Sequence, residues 1–150
     1  MDLDIERVRE QVRQIAEELR KAEVLAVGLF GSLTRGDFDE RSDIDIFIIT
    51  EKELPLRKQD VLYYTFSELI PKFKRDISVL VYDINSLKKI PTWQTLNLIK
   101  DAYFVYDRAE IEEVFKKILQ EAQKQGIIYD EQDKVFRVRK PERVIFSLRE

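Results

Sequence analysis

Apolar residues recur every three or four positions in four stretches of the chain, which is the spacing of a helix with one buried face. Asp2 or Asp4 can cap the first helix, and Gly126 ends the last one. Pro71 falls near the end of the second helix, where a proline is expected to close or distort it. The predicted helices cover residues 4–22, the stretch from Pro55 to about Phe73, the stretch from Pro91 and Thr92 to about Lys100, and the stretch from Ile111 to Gly126.

Shorter apolar runs lie between these helices and are rich in β-branched residues, which favours buried strands. Three such strands are predicted over residues 24–30, 44–50 and 76–83, with a shorter one over 102–107. In the tail, residues 127–150, two short extended pieces around a turn are expected. Helices and strands alternate through one small sheet, so the fold class is α/β or α+β in a single domain. Four aromatic residues are expected in or half inside the core: Tyr63, Tyr64, Trp93 and Tyr103.

The composition narrows the chemistry that is open to this chain. Its 150 residues include no histidine and no cysteine, which excludes imidazole bases, thiol nucleophiles and disulfides. The formal net charge of −3 supplies no overall basic field for phosphate backbones, so long nucleic acids are disfavoured as substrates. The opening stretch MDLDIERVRE has no apolar signal core, and nowhere do eighteen apolar residues follow one another, so we expect a cytoplasmic protein outside the membrane.

Two aspartates open the second predicted strand. Asp43 and Asp45 are two positions apart, so the alternation of a strand turns both side chains to one face. Their charges repel each other unless a cation lies between them. Magnesium suits this position, because it binds one or two carboxylates and accepts phosphate oxygens as further ligands. The pair therefore predicts a magnesium site.

A Gly-Ser pair ends the first predicted strand. A helix that starts at Gly31 and Ser32 would direct free backbone N–H groups toward an anion, and the serine hydroxyl adds a donor. A phosphate site and a magnesium site on one loop together indicate a nucleoside triphosphate with its metal. A P-loop is excluded, because it needs Gly-Lys-Ser or Gly-Lys-Thr and this chain has Gly-Ser-Leu-Thr-Arg.

The whole motif consists of Gly31-Ser32, ten residues, and Asp43-Ile44-Asp45, with Arg35-Gly36 and Ser42 between them. It resembles the motif of the DNA polymerase β-type nucleotidyltransferases, and in particular of their minimal members, the MNT domains. The resemblance covers residues 24–83 at the level of motifs. It implies a small mixed sheet flanked by helices, two magnesium ions, and ATP or a similar triphosphate as substrate.

The resemblance also implies a role for each matching residue. Gly31 and Ser32 would hold the triphosphate, Arg35 would lie near its phosphates, and Asp43 and Asp45 would bind metal. A third carboxylate is expected on a later strand. Asp76 matches it best, because it opens the strand over 76–83, and Asp83 at the far end is the competing candidate. Asp76 would also bind metal and take the proton of the acceptor hydroxyl.

Minimal MNT proteins resemble the antitoxins of MNT and HEPN pairs, in which AMP is transferred from ATP to a tyrosine of the HEPN ribonuclease toxin. This activity is our leading hypothesis, because 150 residues leave no room for a further acceptor-binding domain. Two other hypotheses stay open. The chain could be a small-molecule nucleotidyltransferase that works as a homodimer, or a non-catalytic module that inhibits its partner by occlusion.

Overall fold

A four-stranded mixed sheet forms the centre of the fold. The computed structural model describes residues 3–19, 23–89 and 92–138. The strand order is β3-β2-β1-β4; β2 pairs with β3 in parallel, and β1 pairs antiparallel with both β2 and β4. The mixed sheet with flanking helices confirms the expected fold class. The strands are β1 (Val24–Phe30), β2 (Ile44–Thr50), β3 (Ile77–Asp83) and β4 (Tyr103–Asp107).

Helices cover both faces of this sheet. The longest two, α1 and α7, have the apolar stripes that predicted them, and Asp4 caps α1 by accepting a hydrogen bond from the Arg7 N–H. Of the two short helices, α2 after β1 starts where the sequence suggested a helix start at Gly31 and Ser32, and α5 after β3 was not predicted. The helices are α1 (Ile5–Glu18), α2 (Ser32–Arg35), α3 (Leu56–Phe66), α4 (Leu69–Phe73), α5 (Ile84–Lys89), α6 (Trp93–Asp101) and α7 (Ile111–Lys124).

Strand β2 divides the core into two layers. Its alternate side chains Ile44, Ile46 and Ile48 pack in one layer with residues of α1, α3 and α4. Phe47 and Ile49 point the other way and pack with residues of α5, α6 and α7. A strand buried on both faces has an almost continuous run of apolar residues in its sequence, which is why residues 44–50 could be recognised as a strand.

The predicted helix after Pro55 is two helices. The chain turns at Ser67 and Glu68, where the Ser67 hydroxyl donates to the Tyr64 carbonyl at 2.7 Å. Pro71 is the third residue of α4, within the first turn, where a backbone N–H has no helical acceptor to lose. The helix therefore does not close at Pro71; the break at Ser67 and Glu68 agrees with the other expectation, that the proline distorts the helix near its end.

Three of the four aromatic residues are half-buried, and one is not. Tyr63, Tyr103 and Trp93 are 38%, 40% and 50% exposed, which agrees with the half-buried alternative. Tyr64 is 72% exposed, which contradicts the expected packing, because it lies on the side of α3 away from the buried Leu62 and Phe66.

The tail begins with a hairpin, as expected. Strand β5 (Ile127–Asp130) pairs antiparallel with β6 (Val135–Val138), and Phe136 packs against the layer that contains α6 and α7. Other expectations lie outside the described residues: the cap by Asp2, the helical end over 20–22, the start at Pro91 and the tail from 139 to 150. No helix in the part of the chain that the structure describes is long and apolar enough to span a membrane.

Gly28 in the middle of β1 provides a test of the packing. A Cβ there would lie 2.3 Å from Phe47 Cζ and 2.4 Å from the Tyr103 carbonyl oxygen, so neither neighbour leaves room. We expect Gly28→Ala to lower the free energy of unfolding by about 2 kcal/mol or more in urea titrations. Gly36→Asn is the matched control, because open space surrounds Gly36 and asparagine tolerates its left-handed backbone; its loss should stay under about 1 kcal/mol. Equal losses in the two variants would contradict this account.

Candidate active site

The end of β1 and the start of β2 meet at Gly31 and Asp45. The antiparallel register places Phe30 opposite Asp45, so the residue after the strand comes against the aspartate. Gly31 has a φ of +78°, and a Cβ on it would lie 2.2 Å from Asp45 Oδ2. Only glycine fits this turn without displacing the carboxylate. The Gly-Ser element and the Asp-x-Asp element of the motif are therefore in direct contact.

Helix α2 follows immediately from Gly31. The N–H groups of Thr34 and Arg35 both donate to the Gly31 carbonyl at 3.1 Å, and the Thr34 hydroxyl donates to it at 3.0 Å. By helix geometry the N–H groups before these have no acceptor within the helix. The half-buried Ser32 thus stands at a turn that offers both a hydroxyl and free backbone donors. This is the arrangement that the sequence predicted for holding an anion.

Asp43 and Asp45 form an electrostatically strained pair. Burial, and after it the neighbouring charge of Asp43, raise the pKa of Asp45 to about 6, while Arg35 acts in the opposite direction. Asp43 itself is exposed, and Asp45 is half-buried. The structure therefore brings the two predicted metal ligands together, and it gives the buried one a need for positive charge.

Asp76 and Asp83 lie at opposite ends of β3. Ile44 pairs with Ile77, and the Ile44 N–H donates to the Asp76 carbonyl at 2.9 Å, so Asp76 lies beside Asp43 at the same end of the sheet. Asp83 lies at the far end, opposite Thr50. Its carboxylate accepts from the Ser86 N–H at 3.1 Å and from the Ser86 hydroxyl at 2.7 Å, which caps α5.

The three predicted carboxylates are not gathered at one point. Asp76 is exposed, and within residues 3–19, 23–89 and 92–138 no three or more Asp, Glu, His or Cys side chains come together as a metal site. The structure thus brings together Asp43 and Asp45. The backbone of Asp76 lies next to that of Asp43, but its carboxylate does not join the other two in one group. The roles of these residues stay predictions.

Arg35 connects α2 to a part of the chain that the sequence did not implicate. Its Nη1 donates to Asp101 at 2.8 Å, and its Nε donates to Asp37 at 3.2 Å. Asp101 ends α6 and its side chain is only 9% exposed. In the pairing of β1 with β4, Leu29 stands opposite Tyr103, so the end of α6, which precedes β4, lies at the same end of the sheet as Gly31, which follows β1. No local pattern could show this, because it depends on which strands pair.

Arg75 holds the loop that leads to Asp43. Its Nη1 donates to the carbonyl of Ser42 at 3.1 Å and also to the carbonyl of Asp39. Ser42 itself accepts from the Asp39 N–H at 2.8 Å through its hydroxyl. Ser42 in the motif therefore has a structural role, since its hydrogen bonds stabilise the loop that leads to Asp43.

Comparison with known sequences identifies the fold and its chemistry. A model of the family described as nucleotidyltransferase domain matches residues 9–125, which include every candidate residue above. The chain belongs to this nucleotidyltransferase family. A relative named "Putative protein adenylyltransferase MJ0141", from Methanocaldococcus jannaschii, is 33% identical to this nucleotidyltransferase over 78 residues. That match spans 52% of the chain and 78% of the relative. The resemblance inferred from the motif is confirmed at the level of the family.

Solved structures have the same fold as this nucleotidyltransferase. A toxin–antitoxin crystallised with AMP-PNP superimposes with a TM-score of 0.55 at 17% identity, over 78% of this chain and 89% of that one. An MNT antitoxin in complex with a tri-AMPylated HEPN toxin of Shewanella oneidensis gives a TM-score of 0.52 at 14% identity, over 81% and 90% of the two chains. At such identities these likenesses show the fold alone.

The raised pKa of Asp45 provides a test of the site without any substrate. Because the folded-state pKa of about 6 lies above the unfolded value of about 4, the folded protein is destabilised as pH rises through this window and Asp45 ionises. We expect Asp45→Asn to raise Tm relative to the parent most at neutral pH, and we expect this gain to shrink as pH falls from 6 toward 4.

Thermal unfolding scans in EDTA across this range measure the difference. Asp43→Asn separates the two causes of the raised pKa, since it removes the repelling charge and leaves Asp45 buried. In this variant the pKa of Asp45 should fall only part of the way toward its ordinary value. A difference between Asp45→Asn and the parent that does not change with pH would contradict the shift.

Proposed function

We propose that this nucleotidyltransferase transfers AMP from ATP, with magnesium, to a hydroxyl of a protein acceptor, a tyrosine of a HEPN-type partner. The observation that carries the proposal is the contact between the Gly31 turn and the Asp45 carboxylate. It puts backbone donors suited to a phosphate beside carboxylates suited to a metal, with the Arg35 charge acting on the same site. Since ATP is the donor, we expect the reaction in the cytoplasm.

The donor set at this end of the sheet fits magnesium. Asp45 is a half-buried carboxylate whose pKa is raised by burial and by Asp43, so a divalent cation would relieve both costs. Magnesium is commonly held by one or two carboxylates plus substrate phosphates, and not by a cage of protein ligands alone. A pair of carboxylates is therefore sufficient on the protein side. We assign Asp43 and Asp45 as the ligands of two ions, with Asp76 as the third carboxylate.

The protein residues perform the transfer by position and charge. The Gly31 turn and Ser32 hold the triphosphate, and Arg35 compensates its charge. The acceptor oxygen forms a bond to the α-phosphorus, the bond from that phosphorus to the bridging oxygen breaks, and pyrophosphate leaves. Asp76 takes the hydroxyl proton. When bound, magnesium polarises the phosphoryl oxygens and lowers the pKa of the acceptor hydroxyl.

The protein acceptor is supported by the comparisons. The M. jannaschii relative is named for protein adenylylation, and the S. oneidensis neighbour is an MNT antitoxin in complex with a tri-AMPylated HEPN toxin. We carry this partner over to the present chain as the acceptor. Self-association of the chain stays a prediction.

The first activity test uses labelled ATP, magnesium and the proposed HEPN-type partner. The parent should label the partner, and Asp43→Ala and Asp45→Ala should each lower the labelling rate at least about 100-fold, because each removes charge that holds the metal and the triphosphate. Asp60→Ala is the matched control, an exposed aspartate on α3, and should label at the parental rate. Chelation of magnesium should abolish labelling.

Other outcomes separate the rival functions. Label on small hydroxyl or amino compounds but not on the partner would support a small-molecule transferase. Full neutralisation of the partner's activity by the double variant Asp43→Ala, Asp45→Ala would support inhibition by occlusion and would contradict transfer as the antitoxin activity.

The third carboxylate is tested by a matched pair of variants on β3. We expect Asp76→Ala to lower kcat at least about 100-fold while the free energy of unfolding stays near the parental value, since Asp76 is exposed. Asp83→Ala should leave kcat unchanged and cost about 1 kcal/mol of stability, because it removes the cap of α5. Labelling assays and urea titrations measure the two quantities. Loss of kcat in Asp83→Ala with full activity in Asp76→Ala would reverse the assignment.

A further inference from the structure

Arg35 is held from two directions by carboxylates of different segments. Asp37, from the loop after α2, accepts from Nε at 3.2 Å, and Asp101, from the end of α6, accepts from Nη1 at 2.8 Å. Among the described residues, the hydrogen bonds of Arg35 use Nε and Nη1, and none of them uses Nη2. Because a guanidinium is planar and rigid, fixing two of its nitrogens fixes the direction of the third.

The two carboxylates are not equivalent. The Asp37 side chain is 40% exposed and also pairs with Lys134 Nζ at 3.6 Å, so water and a second cation weaken its hold on the arginine. The Asp101 side chain is 9% exposed and makes the shorter bond. A charge-assisted bond of this length in a half-buried place is the stronger of the two. Asp101 therefore has the greater part in orienting Arg35.

Arg35 lies close to the motif. Arg35 acts electrostatically on Asp45, and Asp45 lies against the Gly31 turn. The strand register brings Asp101 to this same end of the sheet from the other neighbour of β1. The hydrogen bonds of Arg35 therefore leave one guanidinium nitrogen without a protein acceptor among the described residues, next to a turn that offers backbone donors to an anion.

We propose that Asp101 is a positioning residue for the nucleotide: it holds Arg35 so that Nη2 is directed at the phosphates of the triphosphate. This inference rests on the proposed function, since it assumes that the Gly31 turn binds a triphosphate. Asp101 does not touch the nucleotide, and its effect passes entirely through Arg35.

A double-mutant cycle on nucleotide affinity tests this coupling. The variants are Asp101→Asn, Arg35→Ala and both together, and the measurement is the Kd for ATP with magnesium by calorimetry, with AMP-PNP as the non-reacting probe. We expect Asp101→Asn to weaken binding ~10-fold and Arg35→Ala to weaken it by at least as much. The double variant should bind no more weakly than Arg35→Ala alone, because Asp101 acts only through the arginine.

A kinetic readout separates positioning from a merely structural role. In the assay that follows transfer of label from ATP to the HEPN-type partner, Asp101→Asn should raise KM for ATP ~10-fold and keep kcat within about 3-fold of the parent. Glu10→Gln is the matched control, because Glu10 makes the same kind of pair with Arg13 at 2.6 Å on α1, away from the motif. It should leave both KM and Kd unchanged.

Two results would overturn the inference. One is a fall of Tm in Asp101→Asn with Kd and KM unchanged, which would mean that Asp101 only ties α6 to α2. The other is full additivity of the losses in the double variant. If the parent itself fails to bind ATP with magnesium, the proposed function fails and this inference fails with it; if the parent binds and Asp101→Asn binds equally well, this inference alone fails.

Discussion

The candidate site depends on how closely the backbone at Gly31 approaches the carboxylate of Asp45. The distance from a notional Cβ to Asp45 Oδ2, 2.2 Å, leaves no room for any side chain. That contact exists because β1 and β2 are antiparallel neighbours, so the end of one strand meets the start of the other. The turn, the short helix and the acidic pair are therefore parts of one local structure, although the sequence shows them as separate features.

Around this contact the sheet order gathers groups from four places in the chain. The parallel pairing of β2 with β3 brings Asp76 beside Asp43, and the antiparallel pairing of β1 with β4 brings Asp101 to the end of the sheet where it bonds to Arg35. Arg75 then holds the intervening loop through its carbonyl groups. Arg35 lowers the pKa of Asp45, but it offsets only part of the cost that burial and the charge of Asp43 impose on the ionised carboxylate.

Much of the fold and the centre of the site could be predicted, because they are local. Apolar runs predicted the strands, helical stripes predicted α1 and α7, and the spacing from Gly31 to Asp45 predicted both the family and the acidic pair. What could not be predicted depends on how segments that are distant in the sequence pack against each other. Asp101 needed the strand register, and the exposure of Tyr64 needed the direction of α3. The loose position of Asp76 relative to the other carboxylates depends on side-chain geometry, which no spacing encodes.

The double-sided burial of β2 has a consequence for how this chain can change over generations. Asp45, Phe47 and Ile49 share one face, while Ile44, Ile46 and Ile48 share the other, so a single insertion within the strand would exchange the two faces and move the carboxylate into the opposite layer. The loop over 36–42 is constrained differently, because hydrogen bonds from Arg75 and to Ser42 fix its course and no core layer depends on the parity of its residues. The core on both faces of β2 thus protects the position of Asp45, since an insertion that moved the carboxylate would also unpack the fold.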